Sequence, residues 1–394
     1  MVRGEGVRLF DRDGVEYLDA YNNVPCVGHA HPRVVAAIAE QAATLNTHTR
    51  YLAEPILDYA ERLLASLGVG LGHVMLTCTG SEANDLALRI ARFETGRAGV
   101  VVTANAYHGV TEAVAEASPS LGRAVAPGPR VRTIAPPMAE AADPIDEGER
   151  LAADLDAAVE ELDRAGHGLA AVLIDPIFAS DGLRPYPTGV LAPLAAAVRA
   201  HGGLLIADEV QAGFGRTGGS MWGFQRHGVE PDLVTMGKPM GNGMPIGGVA
   251  VRPQLVSRFG REVRYFNTFG GSSVSVAAAA ATLDVIAEER LMENAAVVGH
   301  HLEVGLGKLA ERHPALRRVR GCGLYLAADV VAPPGPATTA AAVVDGLRQR
   351  KILIGTAGPG GTALKIRPPL VFSEGACGPA PRSPRRCPRR RRQG

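Results

Sequence analysis

The middle of the chain switches repeatedly between two kinds of apolar pattern. Short apolar runs occur at residues 74–79, 100–104, 170–174, 203–207, 233–236 and 248–251. Between several of them lie stretches whose apolar residues recur every three or four positions, as in Ala83, Leu86, Ala87, Ile90 and Ala91. The runs read as strands buried on both faces and the stretches as helices. Strands alternating with helices predict a mainly parallel, doubly wound α/β sheet with helices on both sides. Residues 277–290 form a long alanine-rich helical stretch that would lead out of this body. Beyond it, 319–326 and 364–367 read as strands of a smaller domain, with a helix over 338–350 and a glycine-rich loop at 355–361. At 394 residues the chain has room for both parts, and 46% hydrophobic residues suffice for a substantial core.

Composition removes several classes of function. No apolar run approaches the roughly 18 residues of a membrane span, and the first ten residues lack a signal-peptide core. A cytoplasmic location is expected. Cys26, Cys78, Cys322, Cys377 and Cys387 form no CxxC pair, so no disulfide framework and no metal site is expected. His29 and His31 read as turn and capping residues rather than ligands, because no third ligand lies near them. The net charge of +1 hides an uneven distribution: residues 376–394 hold seven of the 41 basic residues and no acid. The remainder carries 34 basic and 40 acidic residues, a net of −6, which predicts no nucleic-acid surface. The proline- and arginine-rich end has no hydrophobic periodicity and is expected as a disordered basic tail. Its abrupt onset after Phe372-Ser373 also fits a shift of reading frame.

Doubly wound sheets bind ligands at the carboxyl ends of their strands, and the chemically distinctive residues fall there. Lysine is rare, with only Lys238, Lys308, Lys351 and Lys365 against 37 arginines. Arginine can neither form a Schiff base nor release a proton near neutrality, whereas lysine does both. Lys238 directly follows a strand, between Gly237 and the glycines of Pro239-Met240-Gly241-Asn242-Gly243. Lys308 and Lys351 read as exposed, and Lys365 as pointing outward from its strand. Asp208 closes the run Leu204-Leu205-Ile206-Ala207. A carboxylate at the end of a buried strand needs a positive partner, and the pyridinium nitrogen of pyridoxal 5′-phosphate (PLP) is one. A strand ending in Asp-Glu also fits an ATPase, but that reading requires a G-x-x-x-x-G-K-[ST] loop. The two Gly-Lys pairs, at 237–238 and 307–308, are followed by Pro and Leu. Gly80 and Ser81 join a strand to a helix, where backbone N–H groups suit a phosphate. Tyr107-His108-Gly109 offers a flat ring, and Asn267-Thr268-Phe269-Gly270-Gly271 another hydroxyl beside glycines.

Together these stretches resemble the class III (ω-type) aminotransferases of PLP fold type I, over about residues 4–373. The likeness is carried by Asn22-Asn23-Val24, Gly28-His29-Ala30-His31-Pro32, Gly80-Ser81-Glu82-Ala83-Asn84, Tyr107-His108-Gly109, Asp208-Glu209-Val210-Gln211-Ala212-Gly213-Phe214-Gly215-Arg216-Thr217-Gly218, Gly237-Lys238 and Asn267-Thr268-Phe269-Gly270-Gly271. It implies a seven-stranded, mainly parallel sheet in a large three-layer domain (33–285) and a smaller α+β domain from the two chain ends (1–32 and 286–375), followed by the tail (376–394). Lys238 would be the Schiff-base lysine and proton shuttle, and Asp208 the partner of the ring nitrogen. Val210 and Tyr107 would cover the two ring faces, with His108 among the cofactor contacts, and Gln211 would reach the ring hydroxyl. Gly80 and Ser81 would bind the phosphate, joined by Thr268 from the partner subunit of a homodimer. Arg367 matches an arginine that takes the substrate carboxylate.

Leu45-Asn46-Thr47-His48-Thr49-Arg50-Tyr51-Leu52 resembles a branch holding alanine–glyoxylate-type aminotransferases and phospho-lyases, with Arg50 a candidate anion-binding residue. The resemblance implies transfer of an amino group between a small amine or amino acid and a 2-oxo acid by a ping-pong mechanism. Elimination of phosphate from a phosphoethanolamine-like amine is the alternative, and an inactive PLP-binding remnant a third reading. Three departures stand out. Asp175-Pro176 occupies a place where many members have Glu-Pro, and the family's longer N-terminal arm and C-terminal helix are not matched.

Overall fold

The computed structural model describes residues 1–377 apart from 69, 123, 139–142, 186–188 and 332–338. The expected tail therefore lies outside the described residues from 378 onward. The chain opens with a small antiparallel meander, β1 (Arg3–Glu5), β2 (Arg8–Phe10) and β3 (Glu16–Asp19), followed by α1 (Pro32–Thr44) and α2 (Glu54–Leu67). His29 closes against this meander, its Nε2 2.7 Å from Asp19 Oδ2. The alternating body comprises β4 (His73–Thr77), α3 (Gly80–Thr95), β5 (Gly99–Thr103), α4 (Glu112–Ala115), β6 (Val131–Ile134), α5 (Pro144–Arg164), β7 (Leu169–Ile174), α6 (Ala192–Ala200), β8 (Leu204–Asp208), β9 (Leu233–Met236) and β10 (Gly247–Val251). Helices α7 (Pro253–Glu262), α8 (Ser273–Glu288) and α9 (Leu291–Arg312) lead to β11 (Leu316–Cys322), β12 (Tyr325–Val330), α10 (Ala340–Gln349), β13 (Ile352–Leu353), β14 (Gly355–Ala357) and β15 (Ala363–Ile366).

The main sheet has seven strands in the order β4-β10-β9-β8-β7-β5-β6. β10 alone runs against its neighbours β4 and β9, and the pairs from β9 to β6 are parallel. Both faces are covered, so successive side chains of one strand enter different cores. Val100, Val102, Leu173 and Ile206 pack on one side with Ile90 of α3 and Phe259 of α7. Val101, Val172, Leu205 and Ala207 pack on the other with Leu155 of α5 and Leu194 of α6. Among the described residues, no helix is long and apolar enough to cross a membrane.

The two chain ends meet. β13 extends the N-terminal meander in parallel with β3, and β11, β12, β15 and β14 form a third, antiparallel sheet. Three details differ from the sequence reading. Residues 319–326 are not one strand but the turn of a hairpin, with Gly323 at φ 53° between β11 and β12. Part of the expected loop at 355–361 is the edge strand β14. β6 was not anticipated.

Candidate active site

β8 and β9 lie side by side with Asp208 opposite Thr235, so their ends bring Asp208 within electrostatic reach of Lys238, which lines a cleft. Asp208 is 4% exposed. Its Oδ2 accepts from Asn84 Nδ2 at 3.0 Å and lies 2.7 Å from His108 Nδ1, while Oδ1 accepts the Val210 N–H at 3.0 Å. Asn84 is itself pinned: Nδ2 also donates to the His108 carbonyl at 2.7 Å, and Oδ1 accepts the Thr235 hydroxyl at 2.6 Å. With the carboxylate facing Nδ1, the imidazole carries a proton there and stays oriented. Its Nε2 is buried and has no hydrogen-bond partner among the described residues. The neighbouring Glu209 has a separate, structural task. It accepts the N–H groups of Gly223 and Phe224 at 2.8 and 2.7 Å, and burial raises its pKa to about 8.

Lys238 Nζ stands 5.7 Å from the centroid of the Tyr107 ring. Burial is the main reason its pKa falls to about 8; Arg367 lowers it further, and Asp208 and Asp175 act in the opposite sense. Asp175 itself folds back on its own turn to accept the N–H groups of Ile177 and Ala179 at 3.0 Å each. Burial, with Asp208 nearby, raises its pKa to about 6.

At the other end of the floor, α3 starts at Gly80 after Thr79, whose side chain accepts the Glu82 N–H. A Cβ on Gly80 would fall 2.7 Å from Val210 Cγ2, and one on Gly109 2.4 Å from Ser81 Oγ. Ser81 Oγ also accepts the Val110 N–H at 3.1 Å. Glycine is thus required where the three segments touch, and the first N–H groups of a 16-residue helix face outward beside Ser81.

The far wall comes from the third sheet and the N-terminal segment. Arg367 is 5% exposed, and its guanidinium donates to Gln211 Oε1 and, at 3.2 Å, to the Tyr21 carbonyl. The rings of Tyr21 and Tyr325 flank it at 5.2 and 5.5 Å. Arg216, from the segment following Asp208, donates to the carbonyls of Leu324 and Pro368 and ties this wall to the main body. The cleft has a volume of about 440 Å³, and Tyr107, Gln211, Lys238, Lys365 and Arg367 line it with the glycine-rich turn after β14. Lys365 corrects the sequence reading: it points into the cleft, not outward. Side chains two apart on a strand share a face, and Arg367 fixes which face that is.

Arg50 and Thr268 do not reach this cleft within one chain. Arg50 is exposed with its Cζ 4.1 Å from the Phe266 ring centroid, and Thr268 borders a separate hollow beside Glu82 and Arg89. Asn84, Lys365, Tyr21 and Tyr325 are site residues that the sequence reading missed.

A model of the class III aminotransferases matches residues 1–379. The chain belongs to the class III aminotransferase family. A Drosophila melanogaster protein named alanine–glyoxylate aminotransferase 2-like is 38% identical across 95% of this chain and 79% of its own length. A solved phospholyase from Arthrobacter, in complex with phosphoethanolamine, is 46% identical with a TM-score of 0.90, covering 95% of this chain and 90% of that one. A taurine:2-oxoglutarate aminotransferase from Bifidobacterium kashiwanohense, solved with PLP and glutamate, is 27% identical with a TM-score of 0.84 over 94% and 88% of the two chains. This class III aminotransferase-family enzyme accordingly has PLP fold type I and depends on PLP. The residues present fit that cofactor: a buried carboxylate at a strand end, a partly buried lysine of lowered pKa beside an aromatic ring, and close-packed glycines at a helix start.

Proposed function

We propose that this enzyme removes the Cα proton of a small primary amine and eliminates phosphate from its β-carbon, as a phospho-lyase of the phosphoethanolamine type. The observation that carries the reading is Arg367. Among the described residues its buried guanidinium meets neutral groups, Gln211 Oε1, the Tyr21 carbonyl and the side chain of Tyr325, so its charge is free for a substrate anion in the cleft that holds Lys238. The 46% identity to a phospholyase bound to phosphoethanolamine supports phosphate as that anion.

PLP supplies the electron sink for the pair left at Cα. Asp208 would hold a proton on the ring nitrogen, with His108 and Asn84 keeping its carboxylate in place. Tyr107 and Val210 would cover the ring, Gln211 would reach its hydroxyl, and Gly80 and Ser81 would hold its phosphate. Lys238 Nζ takes the Cα proton, and a pKa near neutrality is what a base at that position requires. Arg367 orients the anionic end of the substrate. The pair left at Cα would form a Cα=Cβ bond as the Cβ–O bond breaks and its own pair leaves on phosphate; protonation of the resulting unsaturated amine at Cβ and hydrolysis by one water would give aldehyde and ammonia.

A homodimer belongs to the same proposal. Tyr51, Leu52 and Phe269 are 65, 94 and 71% exposed; His48 joins Tyr51 to Phe266, which lies under Arg50 and lines one hollow with Thr268 and Phe269. A second copy covering that surface would bring Thr268 to the neighbouring phosphate site. Transamination is the second reading, supported by the Drosophila relative and by the suitability of Arg367 for a carboxylate. The deciding experiment supplies the PLP-loaded protein, its mass checked by light scattering, with phosphoethanolamine and no 2-oxo acid. Phosphate and ammonia should accumulate over many turnovers, and Lys238→Ala should slow them by roughly 10³-fold or more. A single round of amino transfer that halts until pyruvate is added would replace elimination with transamination.

A further inference from the structure

We infer that Lys365 and Arg367 form a two-cation clamp for a dianionic substituent, and that Lys365 is the residue that separates a phosphate from a carboxylate. The inference rests on the reading that an anionic amine enters the cleft beside Lys238. Within β15 and its continuation, Leu364 and Ile366 turn to the apolar cluster of Ala340 and Ile354. Lys365 and Arg367 therefore share the opposite face, which lines the cleft. The Tyr325 ring lies beside both, its centroid 5.8 Å from Lys365 Nζ and 5.5 Å from Arg367 Cζ. Ring faces attract cations but do not neutralise them.

Among the described residues, Lys365 Nζ has no hydrogen bond or ion pair. Burial, then the charges of Arg367 and Lys238, bring its pKa down to about 7, and Asp175 is the acid that acts in the opposite sense. An ammonium kept in such a place is costly unless a ligand supplies the missing charge. A carboxylate needs one cation, and the planar fork of Arg367 already satisfies it. A phosphate monoester carries close to two negative charges at neutral pH, which matches two cations on one strand face. The turn that joins β14 to β15 meets the cleft as backbone: Gly358, Gly360 and Gly361 line it, with φ of 79, 68 and 64°. That leaves room for a tetrahedral group where a side chain would intrude.

The test uses the PLP-loaded enzyme and its Lys365→Met variant, with inorganic phosphate and acetate as probes, read by calorimetry and by inhibition of turnover. Lys365→Met should weaken phosphate binding about 10- to 100-fold, the loss of one charge-assisted contact. Acetate binding and the visible absorbance of the Lys238-bound cofactor should barely change. Lys365→Arg should recover part of the phosphate affinity. A melting temperature equal to or above that of the parent shows that the variant folds. Equal weakening of phosphate and acetate, unchanged phosphate affinity, or no phosphate binding by the parent enzyme would each overturn the clamp. Lys365-dependent phosphate binding without elimination would leave the clamp standing and sink the phospho-lyase reading. Elimination by Lys365→Met with an unchanged KM would do the reverse.

Discussion

The floor and the far wall of the cleft treat buried polar groups in opposite ways. On the floor, Asp208 accepts from Asn84 and Val210 and meets His108 Nδ1, and Asn84 accepts from Thr235, so every polar atom that holds the carboxylate is paired, although the far side of the imidazole, His108 Nε2, is open. On the wall, Lys365 has no partner among the described residues, and Arg367 has only neutral ones. A satisfied network in a low-dielectric interior holds one arrangement. An unsatisfied one is completed by what binds. The floor therefore suits chemistry shared by every substrate, and the wall suits selection among substrates.

Removing Asp208 breaks the floor and gives the largest expected effect. Asp208→Ala leaves one N–H of the buried Asn84 amide, the His108 ring N–H and the Val210 N–H without an acceptor, each worth about 1–3 kcal/mol. A total stability loss of about 3–5 kcal/mol is expected, because neighbouring terms are not additive. Equilibrium denaturation of the apoprotein measures it. Retention of PLP through gel filtration should also be lost. A variant that unfolds at the parent's denaturant midpoint would show that the floor is not a rigid element.

Lys238 sits between the two regions and reports on both. In the apoprotein its amine has a pKa of about 8, lowered first by burial and then by Arg367 on the wall, and partly restored by Asp208 on the floor and by Asp175. Only the neutral amine bonds the cofactor aldehyde. The group is protonated below its pKa, so capture of PLP should slow by about tenfold for each pH unit below 8 and level off above it. Arg367→Met removes a lowering charge, so the inflection should move to higher pH. Stopped-flow absorbance at several pH values reads both, and a flat profile across this range would mean the amine is not the titrating group.

Much of this division was legible in the sequence, and the gaps have physical causes. The six apolar runs became strands of the main sheet, and in β5, β7, β8, β9 and β10 burial on both faces leaves an uninterrupted apolar signature. β6 escaped because Val131-Arg132-Thr133-Ile134 is a short edge strand with a charge on it. β14 escaped because glycine reads as loop, although Gly355 pairs with Lys365 in the antiparallel register. Lys238 and Asp208 stood out as chemically odd residues at strand ends. Asn84 drew no role of its own, yet it lies among Ala83, Leu86 and Ala87 on the buried face of α3, where a polar side chain needs a partner. Lys365 was misassigned although the rule that places it was available. Once Arg367 is taken as facing the cleft, the period of two carries Lys365 with it.

The smallest expected effect tests whether the floor's stability and its chemistry are separable. Thr79 caps α3, its Oγ1 accepting the Glu82 N–H at 3.1 Å, while the Glu82 carboxylate returns to the Cys78 N–H at 2.8 Å. Thr79→Ala should cost about 1 kcal/mol, the usual worth of such a cap. The helix start would still be held by Glu82 and by Gly80 against Val210, so the N–H groups beside Ser81 should keep their direction. Denaturation should register the loss, while the affinity for PLP stays within about twofold, since no charge and no phosphate contact is removed. A tenfold fall in PLP affinity would mean that the cap itself sets the cofactor's phosphate site. The floor would then be no more rigid than its first hydrogen bond.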